Sequence, residues 1–331
     1  MREIKSILIT GGCGFIGSNF IKYLLEFYPK LKVVNLDLLT YAGSLKNVES
    51  VLDKHIFIKG DIRDSKLVSE ILRKYEIDTI VNFAAETHVD NSIENPEPFI
   101  ETNIVGTYSL LKASKEVWGD REDVRFHHIS TDEIFGSLSK DDPPRKEVDP
   151  IRPNSPYSAS KAAADFLVRS FHKTFNLPVS ISMCCNNFGP FQHDEKLIPT
   201  VIKCCFEKKP IPVYGDGSNI REWIYVLDHC YAIDLIIRKG RVGELYNIGS
   251  GFEIDNLTLV TKICDILTDI VGYDCSKLIT FVEDRPGHDF RYSLDSSKIK
   301  KELSWKCNGT LSFLTDTIFW YASRFRMERR F

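Results

Sequence analysis

The fold is decided near the beginning of the chain by the stretch ILITGGCGFIGSNF, residues 7–20. Its apolar, β-branched start predicts a buried strand, and the apolar residues after the glycines recur at helical spacing. Gly11, Gly14 and Gly17 lie in the turn between these two elements. Glycine permits a tight turn and a close approach of a ligand to the backbone, and the N-terminus of the next helix offers free N–H groups to an anion. The stretch therefore predicts a loop that binds a pyrophosphate.

The same alternation of strand and helix continues to about residue 190. The predicted strands are residues 5–10, 31–36, 55–59, 79–83, 124–129 and 179–183, and the predicted helices are residues 15–27, 66–75, 98–115 and 157–175. This order predicts an α/β fold with a Rossmann-type, doubly wound parallel sheet. Later in the chain proline and glycine become denser. We therefore expect a sheet domain over residues 1–190 and a smaller α/β lobe over residues 191–331, with an approximate boundary because the chain can cross back.

Acidic residues follow two of the predicted strands. Asp37 ends the second strand, 20 residues beyond Gly17. A carboxylate at this position accepts hydrogen bonds from a ribose diol and repels a 2′-phosphate, which favours NAD over NADP. Asp61 and Ile62 follow the third strand and are well placed for an adenine edge. A solvated acid at a strand end is the alternative for each carboxylate.

Tyr157 and Lys161 form a Y-x-x-x-K pair, and this spacing puts both side chains on one face of a helix. A lysine ammonium near a phenol stabilises the phenolate, so the tyrosine becomes a base toward an alcohol. Thr131, which follows the fifth strand, supplies a hydroxyl to orient that alcohol. The pattern is common by chance and becomes specific only behind a nucleotide-binding loop.

Two adjacent acids, Asp132 and Glu133, follow Thr131. They lie at the carboxyl end of a parallel strand, where the active sites of such sheets form. A turn stabilised by an Asx motif is the plainer interpretation. Beside a hydride-transfer site, however, one acid can protonate a leaving hydroxyl while the other removes an acidic C–H proton.

Composition excludes several classes of function. The chain has 331 residues and a formal net charge of −3, so no basic excess indicates a nucleic-acid or membrane partner. No apolar run reaches the length of a membrane span or a signal segment. The nine cysteines include no C-x-x-C pair. We therefore expect reduced thiols, no metal site and a cytoplasmic location.

The motifs together resemble the extended short-chain dehydrogenase/reductase family, and within it the nucleotide-sugar 4,6-dehydratases that act on dTDP-glucose or UDP-glucose. They extend over nearly the whole chain. They are TGGCGFIG at 10–17, NLDLLTYAG at 35–43, AAETHVD at 84–90, STDEIFG at 130–136, the pair Tyr157 and Lys161, NNFGPFQ at 186–192, EKLIP at 195–199, GDGSNI at 215–220 and DRPGHD at 284–289.

The resemblance implies a closed redox cycle on NAD. Tyr157, assisted by Thr131 and Lys161, would remove the C4 hydroxyl proton while NAD takes the C4 hydride. Glu133 would then remove the C5 proton, Asp132 would protonate the departing C6 hydroxyl, and the hydride would return to C6. The product would be a 4-keto-6-deoxy sugar nucleotide for deoxysugar biosynthesis, such as rhamnose precursors. The family also implies a homodimer paired through the helices at 98–115 and 157–175.

Binding residues are carried over position by position. The first domain would hold NAD through Gly11, Gly14, Phe15, Ile16, Gly17, Asp37, Leu38, Leu39, Thr40, Asp61, Ile62, Ala84, Ala85, Thr102, Tyr157, Lys161 and Asn187. The second lobe and the sheet edge would hold the sugar nucleotide through Thr87, Thr131, Asn186, Lys196, Leu197, Pro212, Tyr214, Arg221, Asn256, Arg285 and His288. Arginine forks suit a diphosphate and a tyrosine ring suits a pyrimidine face. A surface ion pair, a capped turn and plain packing remain the alternatives for Arg221, His288 and Tyr214.

Five positions depart from the family pattern. Asn82 replaces a histidine, Leu38 a lysine, Met183 an arginine, and Phe135 and Phe188 replace tyrosines. None removes a catalytic group, so the departures concern details of cofactor and substrate contacts. The choice between thymine and uracil stays open, because one methyl group in an apolar pocket is worth only about 1–3 kcal/mol.

Other functions are possible on the same fold. A nucleotide-sugar 4-epimerase or a UDP-glucuronate decarboxylase shares the glycine loop and the Tyr–Lys pair but lacks the adjacent acids. A non-catalytic nucleotide-binding protein is disfavoured because Thr131, Tyr157 and Lys161 are all intact.

Overall fold

Twelve strands form three sheets in the computed structural model, which describes residues 2–309 and 311–328. The strands are β1 (Ser6–Thr10), β2 (Lys32–Asp37), β3 (Ile56–Lys59), β4 (Thr79–Asn82), β5 (Arg125–Thr131), β6 (Val179–Cys184), β7 (Asn186–Phe188), β8 (Ile211–Tyr214), β9 (Ile220–Tyr225), β10 (Leu245–Ile248), β11 (Glu253–Asp255) and β12 (Ile279–Val282). The largest sheet has the order β3-β2-β1-β4-β5-β6-β10, and every neighbouring pair in it is parallel. This confirms the predicted α/β fold.

Helices cover both faces of the main sheet. They are α1 (Phe15–Phe27), α2 (Ser65–Lys74), α3 (Val89–Glu94), α4 (Glu97–Phe99), α5 (Thr107–Trp118), α6 (Pro156–Phe175), α7 (Leu197–Glu207), α8 (Val226–Lys239), α9 (Asn256–Val271), α10 (Ser297–Leu303) and α11 (Leu311–Glu328). α1 packs against α8, whereas α2, α5 and α6 pack side by side. Two apolar cores separate these helices from the strands. In the described part of the chain, no helix is long and apolar enough to cross a membrane.

The segment expected as one helix over residues 98–115 is divided in the structure. Ile100–Gly106 forms a π-helical turn between α4 and α5. Within this turn the Asn103 side chain makes three tertiary hydrogen bonds. Its amide donates to the Ser160 hydroxyl at 2.8 Å and exchanges two hydrogen bonds with the backbone of Glu86. π-turns accommodate an extra residue and often lie at functional sites. Apolar periodicity does not reveal such a turn.

The chain after residue 190 contributes to both layers. β10 joins β6 in the main sheet, and α8 packs on its face. The remaining segments, together with β7 from just before residue 190, build a smaller lobe. In it β7-β9-β11 and β8-β12 form two small sheets around a third apolar core. The division into two domains at residue 190 stays a prediction. The structure shows that the chain after this residue returns to the main sheet through β10.

The connections of the main sheet run in opposite directions from β1 and β4. β1 leads through α1 to β2 on one side, whereas β4 leads through α5 to β5 on the other. Where the direction of the connections reverses, a crevice opens at the carboxyl ends of the strands, and ligands of doubly wound sheets bind there.

Candidate active site

A cavity of about 320 Å³ fills this crevice. Nearly every residue predicted for the cofactor lines it; Leu39 is the exception. All five predicted catalytic residues line it too. Four of the residues predicted for the substrate also line it, namely Thr87, Thr131, Asn186 and Lys196.

The glycine loop forms one wall of the cavity. Gly11 has a φ of +68°, and a Cβ atom at this position would lie 2.7 Å from the backbone nitrogen of Ala84. The loop therefore packs directly on the backbone that follows β4, which only glycine permits. α1 begins after Gly14 with no side-chain cap and no acidic residue in its first turn. Its first amides are thus free to bind a negatively charged group.

Asp37 is held rigidly at the end of β2. Its carboxylate accepts one hydrogen bond from the Cys13 amide at 2.8 Å and another from the Leu39 amide at 2.7 Å. Leu39 itself lies in the left-handed region, with a φ of +58°. Each carboxylate oxygen retains a further lone pair. Burial raises the pKa of Asp37 despite these two bonds. The glycine cradle and this fixed acceptor fit the pyrophosphate and a ribose diol of NAD.

We expect Asp37→Asn to weaken NAD binding about tenfold to a hundredfold, because hydrogen bonds to a charged acceptor contribute about 1.5–3 kcal/mol. Asparagine has the same shape but one acceptor oxygen instead of two. Calorimetric titration of cofactor-stripped enzyme with NAD measures the change. Asp53→Asn, on the exposed turn before β3, is the matched control. Unchanged NAD affinity would contradict the predicted role of Asp37.

Asp61 and Ile62, predicted to bind the adenine, line one part of the cavity. Asp61 accepts hydrogen bonds from the backbone and guanidinium of Arg63, which lower its pKa although burial opposes them. Its carboxylate is thus fixed beside the cavity. Ile62 is buried and approaches the backbone at Gly106, the end of the π-turn.

Three predicted catalytic side chains lie together at the centre of the cavity. The Thr131 hydroxyl donates to Asp132 Oδ1 at 3.2 Å. Its interaction with the Tyr157 phenol tends to lower the pKa of that phenol. Lys161 Nζ donates to the carbonyl oxygen of Ile129 at 2.6 Å. Burial, and then the nearby Glu133, raise the pKa of Tyr157 well above its ordinary value. Burial, the largest cause, thus opposes the lowering of this pKa that the Tyr–Lys spacing predicts.

A buried polar network lies behind Lys161. His128 Nε2 is 3.5 Å from Lys161 Nζ and 3.7 Å from Asp165 Oδ1. The other carboxylate oxygen of Asp165 accepts from the Ser130 hydroxyl at 2.6 Å. Asn82 connects this network to the glycine loop, since its amide lies 3.1 Å from His128 Nδ1 and accepts from Thr10. The departure at Asn82 thus retains a hydrogen-bonding function.

The adjacent acids have environments that favour their neutral forms. Burial and the Glu133 charge raise the pKa of Asp132 well above its ordinary range, which favours its protonated form. Burial also raises the pKa of Glu133, but the charges of Arg221 and Lys196 oppose that rise. A proton donor and a carboxylate more easily ionised thus stand side by side, the arrangement that acid–base elimination requires.

The other predicted substrate residues lie outside the main cavity, mostly on the small lobe facing Glu133. Arg285 pairs with Asp90 at 3.1 Å and stacks over the Tyr214 ring. Arg221 donates to backbone carbonyls at Asp289 and Phe290. These contacts give the two arginines fixed positions. The remaining members of the group are Leu197 at the start of α7, Pro212 exposed in β8, Asn256 at the start of α9 and His288, which hydrogen bonds to Asp284.

Several functional neighbours were missed from the sequence. Asp165 follows Lys161 by four residues on α6, so an extended Y-x-x-x-K-x-x-x-D pattern on one helix face could have indicated it. Glu195 lines the cavity, where it contacts Tyr41 and His193. It belongs to the EKLIP motif but was not predicted as a site residue. Met183, Phe135 and Phe188 are buried core residues.

Known proteins resemble the whole chain. The family model for GDP-mannose 4,6-dehydratase matches residues 8–317. The dTDP-glucose 4,6-dehydratase of Xanthomonas campestris is 48% identical over 327 residues, which cover 95% of this chain and 92% of that protein. The low-salt glycan biosynthesis protein Agl12 of Haloferax volcanii is 51% identical over 302 residues, which cover 91% and 93%.

Solved structures give the same picture. The dTDP-glucose 4,6-dehydratase DesIV of Streptomyces venezuelae, solved with NAD bound, has a TM-score of 0.89 and 44% identity, covering 96% of this chain and 97% of that one. The UDP-glucose 4-epimerase of Thermotoga maritima has a TM-score of 0.86 but only 26% identity, covering 97% and 99%. Overall shape therefore does not separate the two activities, and the side chains of the site must do so.

Proposed function

This chain belongs to the GDP-mannose 4,6-dehydratase family, and from that premise we propose that it is a hydro-lyase that converts dTDP-glucose into its 4-keto-6-deoxy derivative. The activity class is NAD-dependent 4,6-dehydration of a nucleotide sugar. Two sequence relatives and the bound structure argue for thymidine rather than uridine as the base, since dTDP-glucose is the substrate in the names of these proteins.

NAD fits the residues of the crevice. The glycine loop and the first turn of α1 would bind its pyrophosphate, Asp37 its adenosine ribose, and Asp61 with Ile62 its adenine. When bound, NAD accepts the C4 hydride of the sugar and later returns it to C6. Tyr157 removes the C4 hydroxyl proton, while the Thr131 hydroxyl positions that alcohol and Lys161 contributes positive charge beneath the site.

The adjacent acids carry out the elimination. Once C4 is a ketone, the C5 proton is acidic and Glu133 removes it. Asp132, whose protonated form is favoured by burial, transfers a proton to the C6 hydroxyl, which leaves as water. Glu133 then returns its proton to C5 as the C6 position is reduced. Arg221 and Arg285 lie on the side of the small lobe facing Glu133, where their guanidinium groups suit the substrate diphosphate.

One observation carries the proposal: Asp132 and Glu133 line a single cavity together with Thr131, Tyr157 and Lys161. An epimerase or a UDP-glucuronate decarboxylase needs the tyrosine and the hydroxyl but has no water to eliminate. A non-catalytic nucleotide-binding protein needs neither the buried acids nor the Tyr–Lys pair. The paired acids therefore favour dehydration over these three alternatives.

We further propose a homodimer and a cytoplasmic location. Aromatic and aliphatic side chains remain exposed on α5, α6 and the preceding π-turn, and they suit a pairing with the same helices of a second copy. These side chains are Ile100, Val105, Tyr108, Phe166 and Phe175. The nine cysteines are free thiols, as expected in a reducing compartment.

The test is incubation of the purified chain, without added NAD, with dTDP-glucose or UDP-glucose. We expect a 4-keto sugar, detected by its absorbance in alkali, to form faster from dTDP-glucose, because cofactor is regenerated in each turnover. Product from UDP-glucose alone would contradict the proposed base. An epimerised or decarboxylated sugar, or no product from either nucleotide, would contradict the dehydratase activity.

A further inference from the structure

The tyrosine proposed as the base lies in the first turn of α6, where backbone amides have no partner within the helix. Ser155 caps this helix, and its hydroxyl accepts from the amide of Ser158 at 3.1 Å. Pro156, the first helical residue, has no amide hydrogen to satisfy. The amide of Tyr157 is therefore left without a partner from its own helix and needs one from elsewhere in the fold.

A serine from another helix supplies this partner. The Tyr157 amide donates to the Ser92 hydroxyl oxygen at 3.2 Å, and Ser92 lies in α3, 65 residues earlier in the chain. The same hydroxyl donates to the Val89 carbonyl oxygen at 2.6 Å. Ser92 is fully buried, so bulk water has no access to either bond. In the part of the chain that the structure describes, this hydroxyl is the one partner seen for the Tyr157 amide.

The carbonyl group of Tyr157 is also held by a buried serine. It accepts from the Ser160 hydroxyl at 2.7 Å, and that hydroxyl accepts from the Asn103 amide at 2.8 Å. The tyrosine ring is buried and packs edge-on against Phe99. The backbone and the ring of Tyr157 are therefore fixed together, and a shift of the backbone would move the phenol.

α3 also contacts residues predicted for the substrate. Asp90 pairs with Arg285 at 3.1 Å and accepts a hydrogen bond from the Tyr214 hydroxyl at 3.3 Å. Arg285 and Tyr214 are predicted to bind the diphosphate and the pyrimidine. Ser92 and Asp90 lie in the same short helix. The Tyr157 amide is thus connected through α3 to side chains predicted to hold the sugar nucleotide.

We propose that Ser92 is a positioning residue, which holds the first turn of α6 so that the Tyr157 phenol meets the C4 hydroxyl at hydrogen-bond distance. Proton abstraction needs a heavy-atom separation of about 2.6–3.2 Å. A buried amide that loses its acceptor is costly, so the first turn of α6 must shift toward a new partner when the hydroxyl is removed. Ser92 is not among the residues that line the cavity, so it acts through Tyr157. This inference rests on the proposed function, in which Tyr157 is the base.

The test measures Ser92→Ala with the enzyme in excess over dTDP-glucose, so that rapid-quench samples follow a single turnover. Because misplacing a reacting group by about 1 Å costs about 10²-fold, we expect the smaller shift of a relaxed helix turn to slow the single turnover about tenfold. The KM for dTDP-glucose and the affinity for NAD should stay near the wild-type values, because Ser92 lies outside the cavity.

A double-mutant cycle with Tyr157→Phe separates positioning from a general loss of stability. Tyr157→Phe already lacks the base, so adding Ser92→Ala to it should cause little further slowing, and the two effects should be strongly non-additive. A destabilised fold would instead slow both backgrounds to the same extent. Equal slowing by Ser92→Ala in the two backgrounds, or no slowing in the chain that retains Tyr157, would overturn the positioning role.

Ser114→Ala is the matched control. Its hydroxyl is fully buried and donates to the Leu110 carbonyl oxygen at 2.7 Å within α5, as Ser92 does to Val89 in α3. This variant should complete the single turnover at the wild-type rate. If Ser92→Ala does not fold, Ser92→Cys, whose thiol is only a weak acceptor, is measured in the same way. A wild-type chain that makes no 4-keto sugar would instead overturn the proposed function.

Discussion

Asp132→Asn is expected to slow formation of the 4-keto-6-deoxy product by about 10²- to 10⁴-fold, the usual contribution of a general acid. Asp132 is buried and burial raises its pKa, so it is poised to protonate the C6 hydroxyl. Asparagine has nearly the same shape but cannot transfer a proton. C4 oxidation precedes that step and does not need the acid. Reduced nicotinamide should therefore accumulate after mixing with dTDP-glucose, and its absorbance measures the effect directly.

Glu133→Gln should block the same cycle one step earlier. Without the carboxylate the C5 proton is not removed, so exchange of the C5 hydrogen with deuterated solvent should be lost along with product. Asp132→Asn should retain that exchange. Asp142→Asn, on the loop that follows, is the matched control because it removes a solvated carboxylate. Equal loss of C4 oxidation and elimination in either acid variant would argue against the assigned roles.

The sequence predicted the helices and strands correctly wherever the local hydrophobic pattern and the tertiary structure favour the same element. The helix expected at residues 15–27 has the same bounds as α1, and the strands of the first domain agree within one or two residues. Apolar periodicity, glycine turns and strand length all favour the same structure in these segments. The family resemblance drawn from the motifs is likewise confirmed.

Two parts of the architecture were not accessible in this way. The π-turn at Ile100–Gly106 contains Asn103, whose side chain makes tertiary hydrogen bonds to Glu86 and Ser160, and no sequence period indicates such contacts. β10 is four residues long and lies in the less regular region, yet it completes the main sheet because the strand β6 offers an unpaired edge. Long-range pairing thus determined both features.

The sequence predicted which residues line the site but not the contacts between them. The motifs predicted most of the side chains that line the cavity. The roles of these side chains stay predictions until variants are measured. Spacing along α6 suggested that Lys161 would lower the pKa of Tyr157, but burial determines the direction in the folded protein. Contacts such as His128 with Asp165 join residues far apart in the chain, so only the structure brings them together.

Tyr157→Phe is expected to lower turnover by about 10²- to 10⁴-fold through loss of the base that removes the C4 hydroxyl proton. The ring packs edge-on against Phe99 and is buried, so phenylalanine fits the same space. NAD retention and the melting temperature should therefore stay near wild type. Stopped-flow absorbance of reduced nicotinamide measures C4 oxidation, and quenched samples measure product.

This variant should behave differently from Asp132→Asn. Because the phenol acts first, Tyr157→Phe should prevent accumulation of reduced nicotinamide as well as product, whereas Asp132→Asn should lose product alone. Tyr246→Phe is the matched control. Tyr246 lies in the edge strand β10, is not among the residues that line the cavity, and donates its hydroxyl to Glu302. If Tyr157→Phe accumulated reduced nicotinamide at the wild-type rate, another group would have to remove the C4 hydroxyl proton. This single variant therefore tests the order of the chemical steps.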